Sequence, residues 1–414
     1  MVLRHRHHAQ SQAQSESFNI VVIAGRISEY GGGERYINKL NSLLLDDSAS
    51  RIHVIYGTDE RGAKSREEPV GKGVIVHHPL YVSEASQASS YVSRSLHYGR
   101  ELARICGSED VDLVHIHFSP FNPISLSSAL LSRFNRVPVM LTHHRDVRSF
   151  GFSLKSLAMR PIAAATTRVA NKCTGVSIAA CDVFRGHGEV IGSFVDTEFF
   201  RPDNPGINAK EFAEAHSLGG KFVVAVPARF EEKKGQMHLL KALPLVKRES
   251  GGRCDPCVVL AGLHKDSGFV ESLQDYTRAQ NLEGNVRILD MLPPEGVRDM
   301  LAASNCFCLP SDTEALPLSI IEASAMAKPV IATRVGGSPE AVVEEGPGKK
   351  ATGILVEPQN PAQLAHAILV LWQNPGLASQ LGVNGRGFAV NDYSPDNFLR
   401  RVKGFYYELI SGRR

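Results

Sequence analysis

Glu314 and Glu322 are separated by seven residues, the second inside an apolar helical run; Arg229 and Lys234 are separated by four and follow an apolar strand. Two cations at a strand end just before a helix suit a diphosphate. The competing explanation for Arg229 to Gly235 (RFEEKKG) is a solvated loop, because Lys and Arg are mostly surface residues. Pro317, three residues after Glu314, suits a first helical position. The backbone around Leu316, Pro317, Leu318 and Ser319 then forms a helix start whose N–H donors lack helical partners and can face an anion. Glu322 lies about a turn and a half further on, at roughly 1.5 Å per residue, within reach of the other end of a nucleotide-sized ligand. Ile320, Ile321, Ala323 and Ala325 flank it, an apolar setting in which an unpartnered charge is costly.

Two further groups are weaker signals. Gly31, Gly32 and Gly33, followed by Glu34 and Arg35, let backbone N–H groups approach a phosphate at a positive helix end. They lack the G-x-G-x-x-G spacing of a dinucleotide fingerprint, and a plain strand-to-helix turn would use them equally. Thr142-His143-His144 closes an apolar strand and offers imidazole nitrogens at its end, against a structural role for both rings.

Strands are needed to aim these groups. Phe18 to Gly25 (FNIVVIAG) reads as a strand running into a loop and a helix. The pattern recurs with strands at Ile52–Tyr56, Val74–His77, Leu113–His117, Val137–Thr142, Gly175–Ala179 and Glu189–Ile191, and helices at Ala88–Ile105, Ile124–Phe134 and Leu157–Asn171. After the turn-rich Arg201–Asn208 (RPDNPGIN) it starts afresh at Phe222–Val226 and continues through Pro329–Thr333. Alternating strands and helices predict an α/β chain with two doubly wound, parallel, Rossmann-like sheets, whose ligands sit beyond the carboxyl ends of the strands. The expected organisation is a disordered leader over 1–17, lobes over 18–200 and 201–393, and a terminal helix over 394–414 whose apolar stripe (Phe398, Val402, Phe405, Tyr406, Leu409) needs another surface.

Composition narrows the partners. The 414 residues carry 46 Lys plus Arg against 43 Asp plus Glu, a balance too even to single out nucleic acid. The longest stretch free of formal charge, Leu113 to Ser132, holds two His, two Pro and five Ser, which argues against a bilayer span. The N-terminal MVLRHRHH lacks the apolar core of a secretory signal, so the chain is read as cytoplasmic. Seven Cys fit reduced thiols, and Cys254-Asp-Pro-Cys257 has no second pair to complete a metal site. Arg145, Arg148, Lys155, Arg160, Arg168 and Lys172, with Asp146 the lone acid among them, could dock on an anionic membrane or hold an anionic acceptor; a solvated helix face is the plainer reading.

Glu314 and Glu322, within EALPLSIIEASAMAKPVIATRVGGSPEAV, resemble the donor-site signature of glycosyltransferase family 4, the retaining GT-B enzymes. Arg229 with Lys234-Gly235 matches that family's R-x4-K-G, and Gly31-Gly32-x-Glu34-Arg35 its N-terminal glycine loop. The resemblance spans residues 18 to 410 and implies two lobes facing across a cleft, the first on the acceptor side, the second binding a nucleotide-sugar, with the terminal helix packing back on the first. It implies that Glu322 binds the ribose, that Glu314 accepts from the donor sugar, and that Arg229, Lys234 and the helix start neutralise the departing diphosphate. His144, preferred over His143, would bond a donor-sugar hydroxyl near the reacting carbon. No cofactor and no metal are implied, UDP is the commonest donor nucleotide, and the acceptor is a sugar, a lipid-linked sugar or a small molecule. Asp110-Val111-Asp112 resembles a metal-binding D-x-D but precedes a strand, so it reads as a turn. Ala315-Leu316 stands where the family carries G-F, which leaves donor identity open. A nucleotide-sugar epimerase and a non-catalytic sugar- or nucleotide-binding protein are the alternatives.

Overall fold

The computed structural model describes residues 17–25, 32–82, 89–146, 159–264 and 267–412, so residues 1–16 of the leader, Gly31, Arg148, Lys155 and the first two residues of the helix expected over 157–171 lie outside the described residues. In chain order the first elements are β1 (Asn19–Ile23), α1 (Gly32–Asp47), β2 (Arg51–Thr58), β3 (Arg66–Val70), β4 (Gly73–Tyr81), α2 (Ser89–Ser108), β5 (Leu113–Ile116), α3 (Pro123–Phe134), β6 (Val139–His143), α4 (Arg160–Val169), β7 (Lys172–Gly175), α5 (Ile178–Cys181) and β8 (Gly188–Val190). There follow α6 (Ala209–Ala215), β9 (Phe222–Pro227), α7 (Gln236–Glu249), β10 (Pro256–Ala261), α8 (Ser267–Ala279), β11 (Val286–Leu289), α9 (Pro294–Ala302), β12 (Cys306–Leu309), α10 (Leu318–Ala325), β13 (Val330–Thr333), α11 (Ser338–Ala341), β14 (Gly353–Val356), α12 (Pro361–Gln373), α13 (Pro375–Tyr393) and α14 (Pro395–Ser411).

One sheet has the order β3-β4-β2-β1-β5-β6-β7-β8, the other β11-β10-β9-β12-β13-β14. In the first, Ile20 of β1 pairs in parallel with Ile52 and with Leu113, and the edge strand β3 is antiparallel to β4. The second is parallel throughout. Alternate residues of its central strand serve opposite faces: Val224 and Val226 join Leu239, Leu243 and Leu260, whereas Val223 and Ala225 join Val259, Met300 and Ile320. A strand apolar on both faces needs a helical layer on each, which is why β9 reads as a continuous apolar run rather than an alternating one. By contacts the chain divides into two compact units, one of residues 1–141, 162–172 and 406–414, the other of 142–161 and 173–405.

One expectation changes, and one strand was not expected. The strand expected over Gly175–Ala179 is β7, ending at Gly175, followed by a turn: the Ser177 hydroxyl accepts from the Ala180 N–H and caps α5, so the apolar Ala179, Ala180 and Cys181 are helical core. β3 (REEPV) carries no apolar pattern because it is an exposed edge strand, where charge and proline are tolerated. Among the described residues no helix is long and apolar enough to cross a membrane.

The first unit also buries a histidine pair. His53 Nδ1 and His78 Nε2 are 3.1 Å apart, His53 Nε2 lies 2.9 Å from Glu109, and His78 Nδ1 lies 2.8 Å from Glu101. Burial, opposed in part by these carboxylates, pushes His78 down to about 4 and lowers His53 as well. Unfolded histidine binds its proton near pH 6.5. Below that pH the unfolded chain holds more protons than the folded one, so stability is lost as pH falls from 6.5 toward 4. Denaturant unfolding at pH 5.5 should give a free energy lower than at pH 7.5, with about 1 kcal/mol of the difference from His78 and a contribution of the same sign from His53. His78→Gln should flatten that slope; an identical slope in the variant would remove His78 from the account.

Candidate active site

Two of the candidate groups, Lys234 and Glu314, meet beyond the ends of β9 and β12. Beyond β9 the chain passes Arg229, turns at Gly235 and enters α7. Gly235 has φ +69°, and a Cβ there would collide with the Pro310 carbonyl beyond β12. Only glycine allows this approach, and it is fixed further by Asp312 N–H donating to the Lys233 carbonyl at 2.8 Å. Lys234 is thereby delivered to Glu314: Nζ donates to Oε1 at 2.6 Å, with both side chains nearly buried. The Ser311 hydroxyl donates to the same Oε1 at 2.7 Å, so that oxygen is engaged by the protein itself. Arg229 lies beside Glu231 (3.2 Å) and stays about a third exposed, while Gln236 donates to its carbonyl at 2.8 Å.

A second close approach shapes the turn from the other side. Gly336 has φ +47° and packs on the Glu314 carbonyl, which accepts from the Gly337 N–H at 3.1 Å. The next helix, α11, presents Glu340, whose carboxylate accepts from the Ile178 N–H at 2.9 Å. Burial raises the Glu340 pKa despite these donors.

Pro317 sits at the N-cap of α10 (φ −79°, ψ 102°) rather than inside the helix as the sequence suggested. Its carbonyl already accepts from Ile320, so Leu318 and Ser319 provide the N–H groups at the helix start, while Leu316 packs on the apolar cluster below. Glu322 is half-buried on α10 between the buried Ile321 and Ala323. His143 ends β6 fully buried, its ring edge-on to Phe184, and burial pushes it down to about 4. His144, the residue after β6, is half-buried; burial, with His143 and Arg145 nearby, pushes it down to about 3. Both are neutral at pH 7 and suited to hydrogen bonding rather than to ion pairing.

Lys234 and Glu314 are thus brought into contact, Arg229 and Glu322 lie on the flanking elements, and Gly32 and Gly33 open α1 in the first unit. Ser311, Thr313 and Asp146 escaped the sequence reading, because a hydroxyl in a turn and one acid in a basic stretch carry no spacing signal. Asp112 of the D-x-D accepts from the Asn19 N–H at 2.8 Å and anchors β1. Lys172, expected on a basic face, pairs with Glu408 at 2.9 Å.

The family model for Glycosyltransferase Family 4 matches residues 30–199, and that for Glycosyl transferases group 1 matches residues 208–388. The chain is 28% identical over 401 residues to a GDP-mannose-dependent alpha-(1-6)-phosphatidylinositol monomannoside mannosyltransferase of Mycolicibacterium smegmatis, covering 93% of this chain and 96% of the relative. It is 27% identical to an alpha-maltose-1-phosphate synthase of the same organism, covering 75% and 82%. Among solved structures it resembles the sucrose-phosphate synthase of Thermosynechococcus elongatus (TM-score 0.77, 19% identity, 95% and 100% covered) and Anabaena HepE in complex with UDP (TM-score 0.73, 17% identity, 95% and 100% covered).

Proposed function

From the premise that the chain belongs to glycosyltransferase family 4 and has the GT-B fold, we propose that it transfers a sugar with retention of configuration, without a metal ion, from a nucleotide-diphosphate donor to an acceptor hydroxyl. The observation that carries this reading is the contact between Lys234 and Glu314 at the ends of β9 and β12. A diphosphate laid across Arg229, Lys234 and the start of α10 has two cations and two N–H groups for its charge. As the bond from the sugar carbon to the phosphate oxygen breaks, the diphosphate keeps the electron pair and these groups stabilise it. The acceptor oxygen bonds to the same carbon on the face being vacated, and its proton passes to the departing phosphate. Glu314 uses Oε1 for Lys234 and Ser311 and turns Oε2 to a sugar hydroxyl; Glu322 accepts from the ribose. Neutral His144 bonds a sugar hydroxyl beside the reacting carbon.

The domain assignment carried into this reading is an acceptor-side lobe over 18–200 and a donor lobe over 201–393. The acceptor is a hydroxyl of a sugar, free or lipid-linked, or of a small molecule; a relative named for phosphatidylinositol monomannoside makes a lipid-linked acceptor worth testing first. UDP is the family's commonest donor nucleotide, and the relative named for GDP-mannose puts that donor beside it. A thermal-shift panel including UDP-glucose and GDP-mannose chooses between them, since a ligand at 100 times its Kd adds about 2.7 kcal/mol. Incubation with the chosen donor alone then yields slow hydrolysis for a transferase, an epimer for an epimerase and no product for a binding protein.

Glu322→Ala should weaken donor binding by about ten- to a hundredfold, the effect of losing a charged acceptor to buried hydroxyls. An unchanged donor Kd in a folded variant would take Glu322 out of the ribose site. Turnover should also survive EDTA, because Arg229 and Lys234 supply the charge that a divalent ion would; loss in EDTA restored by manganese or magnesium would overturn the metal-free mechanism.

A further inference from the structure

The turn that carries Glu314 is held by a residue far away in sequence. The Thr313 hydroxyl donates to Asp146 Oδ2 at 3.2 Å across 167 positions. Asp146 is buried, 4% exposed, and stands two residues beyond His144. Gly336 passes the same carboxylate so closely that a Cβ there would lie 3.0 Å from Asp146 Oδ2 while colliding with the Glu314 carbonyl. The side chain of Asp146, the backbone of Gly336 and the hydroxyl of Thr313 therefore meet at one point, directly beside the backbone of Glu314. Burying a carboxylate is costly unless it is hydrogen-bonded, so the Thr313 donor and the Asp146 side chain hold one another in register.

We propose that Asp146 is a positioning residue for sugar transfer: through Thr313 it fixes the backbone of the Glu314 turn and links the aim of that carboxylate to the strand end bearing His144. This rests on the donor-sugar role given above to Glu314. The link matters most with donor bound. Lys234 then shares its charge with the diphosphate and holds Glu314 Oε1 less tightly, leaving Ser311 and the turn itself to keep the carboxylate in place. Small misplacements of a positioning group act on the reacting geometry, so the effect belongs in kcat rather than in donor affinity.

The test uses the full chain, with GDP and UDP release from GDP-mannose and UDP-glucose as the activity readout and amide exchange of residues 311–318 as the structural one. Thr313→Val and Asp146→Ala should each lower kcat about tenfold with donor KM changed less than about twofold, and the double variant should be no slower than either single, as expected for residues acting as one unit. Thr313→Ser, which keeps the hydroxyl, should stay within about twofold of the parent. Exchange across 311–318 should quicken in both impaired single variants, with the global unfolding midpoint unchanged. Parent-like kcat in Thr313→Val, a double variant slowed by the product of the two singles, or unaltered exchange would each overturn the proposal. If the parent turns over neither donor, the reading of Glu314 fails on its own, and exchange still decides the link: unaltered exchange refutes it, quickened exchange in both variants supports it.

Discussion

Lys234→Met is expected to reduce turnover by about 10²–10³-fold, the scale of losing one pre-aimed donor to a developing negative charge. The same substitution should destabilise the fold, because Glu314 is 9% exposed and loses the cation 2.6 Å from its Oε1. Removing one partner of a buried ion pair costs about 3 kcal/mol or more, since the remaining charge is left without its counter-ion. The two effects separate in the double variant Lys234→Met/Glu314→Gln. A neutral amide can still accept from Ser311 and no longer needs a cation, so most of the lost stability should return while turnover stays at or below that of Lys234→Met. Urea unfolding and turnover measured on the parent and the variants decide it. A Lys234→Met protein with near-parental kcat would mean that the lysine only neutralises Glu314, and the diphosphate assignment would fall.

The parts of this site that were legible in the sequence are those whose chemistry shows in spacing. Lys234-Gly235 and Glu314 are visible because each follows an apolar strand and opens a helix, and a parallel sheet places such strand ends side by side. Their contact is built by Gly235 and Gly336, whose positive φ brings backbone against backbone. The 36 glycines of the sequence do not say which of them make that approach. Thr313 and Asp146 were illegible for another reason: a side chain's partner across 167 positions is set by how strands order in a sheet, not by periodicity. The misread segment 175–179 shows the same limit locally. Val176, Ile178 and Ala179 have the β-branched, apolar look of a strand, and only the hydrogen bond from Ala180 N–H to the Ser177 hydroxyl turns the chain into helix. Pro317 was misplaced by a single position, because a proline fixes φ without choosing between a cap and a first turn.

Removing residues 395–414 is expected to destabilise the protein more than any single substitution outside the sheets, and to abolish transfer. Helix α14 buries Phe398, Val402 and Tyr406 completely, on the apolar stripe its sequence announces. Tyr406 belongs to the first unit, where its hydroxyl lies 2.8 Å from His115 Nδ1 and its ring meets Phe18 edge-on at 5.9 Å. Phe398 belongs to the second, stacked on Phe194 at 4.7 Å, and Arg401 donates to the Ile191 carbonyl at 2.9 Å there. Loss of a large buried aromatic costs about 3–5 kcal/mol, so Tyr406→Ala and Phe398→Ala should each approach the whole stability of a marginal domain. Tyr406→Phe keeps the ring and loses only the hydrogen bond to His115, a change of about 1 kcal/mol. Because the two aromatics lie in different units, amide exchange should quicken around Phe18 and His115 in Tyr406→Ala and around Phe194 in Phe398→Ala. The ordering Tyr406→Phe, then Tyr406→Ala, then truncation follows from the area each change uncovers. A truncated chain that melts with the parent and keeps its turnover would show that the buried stripe of α14 contributes nothing the rest of the protein needs.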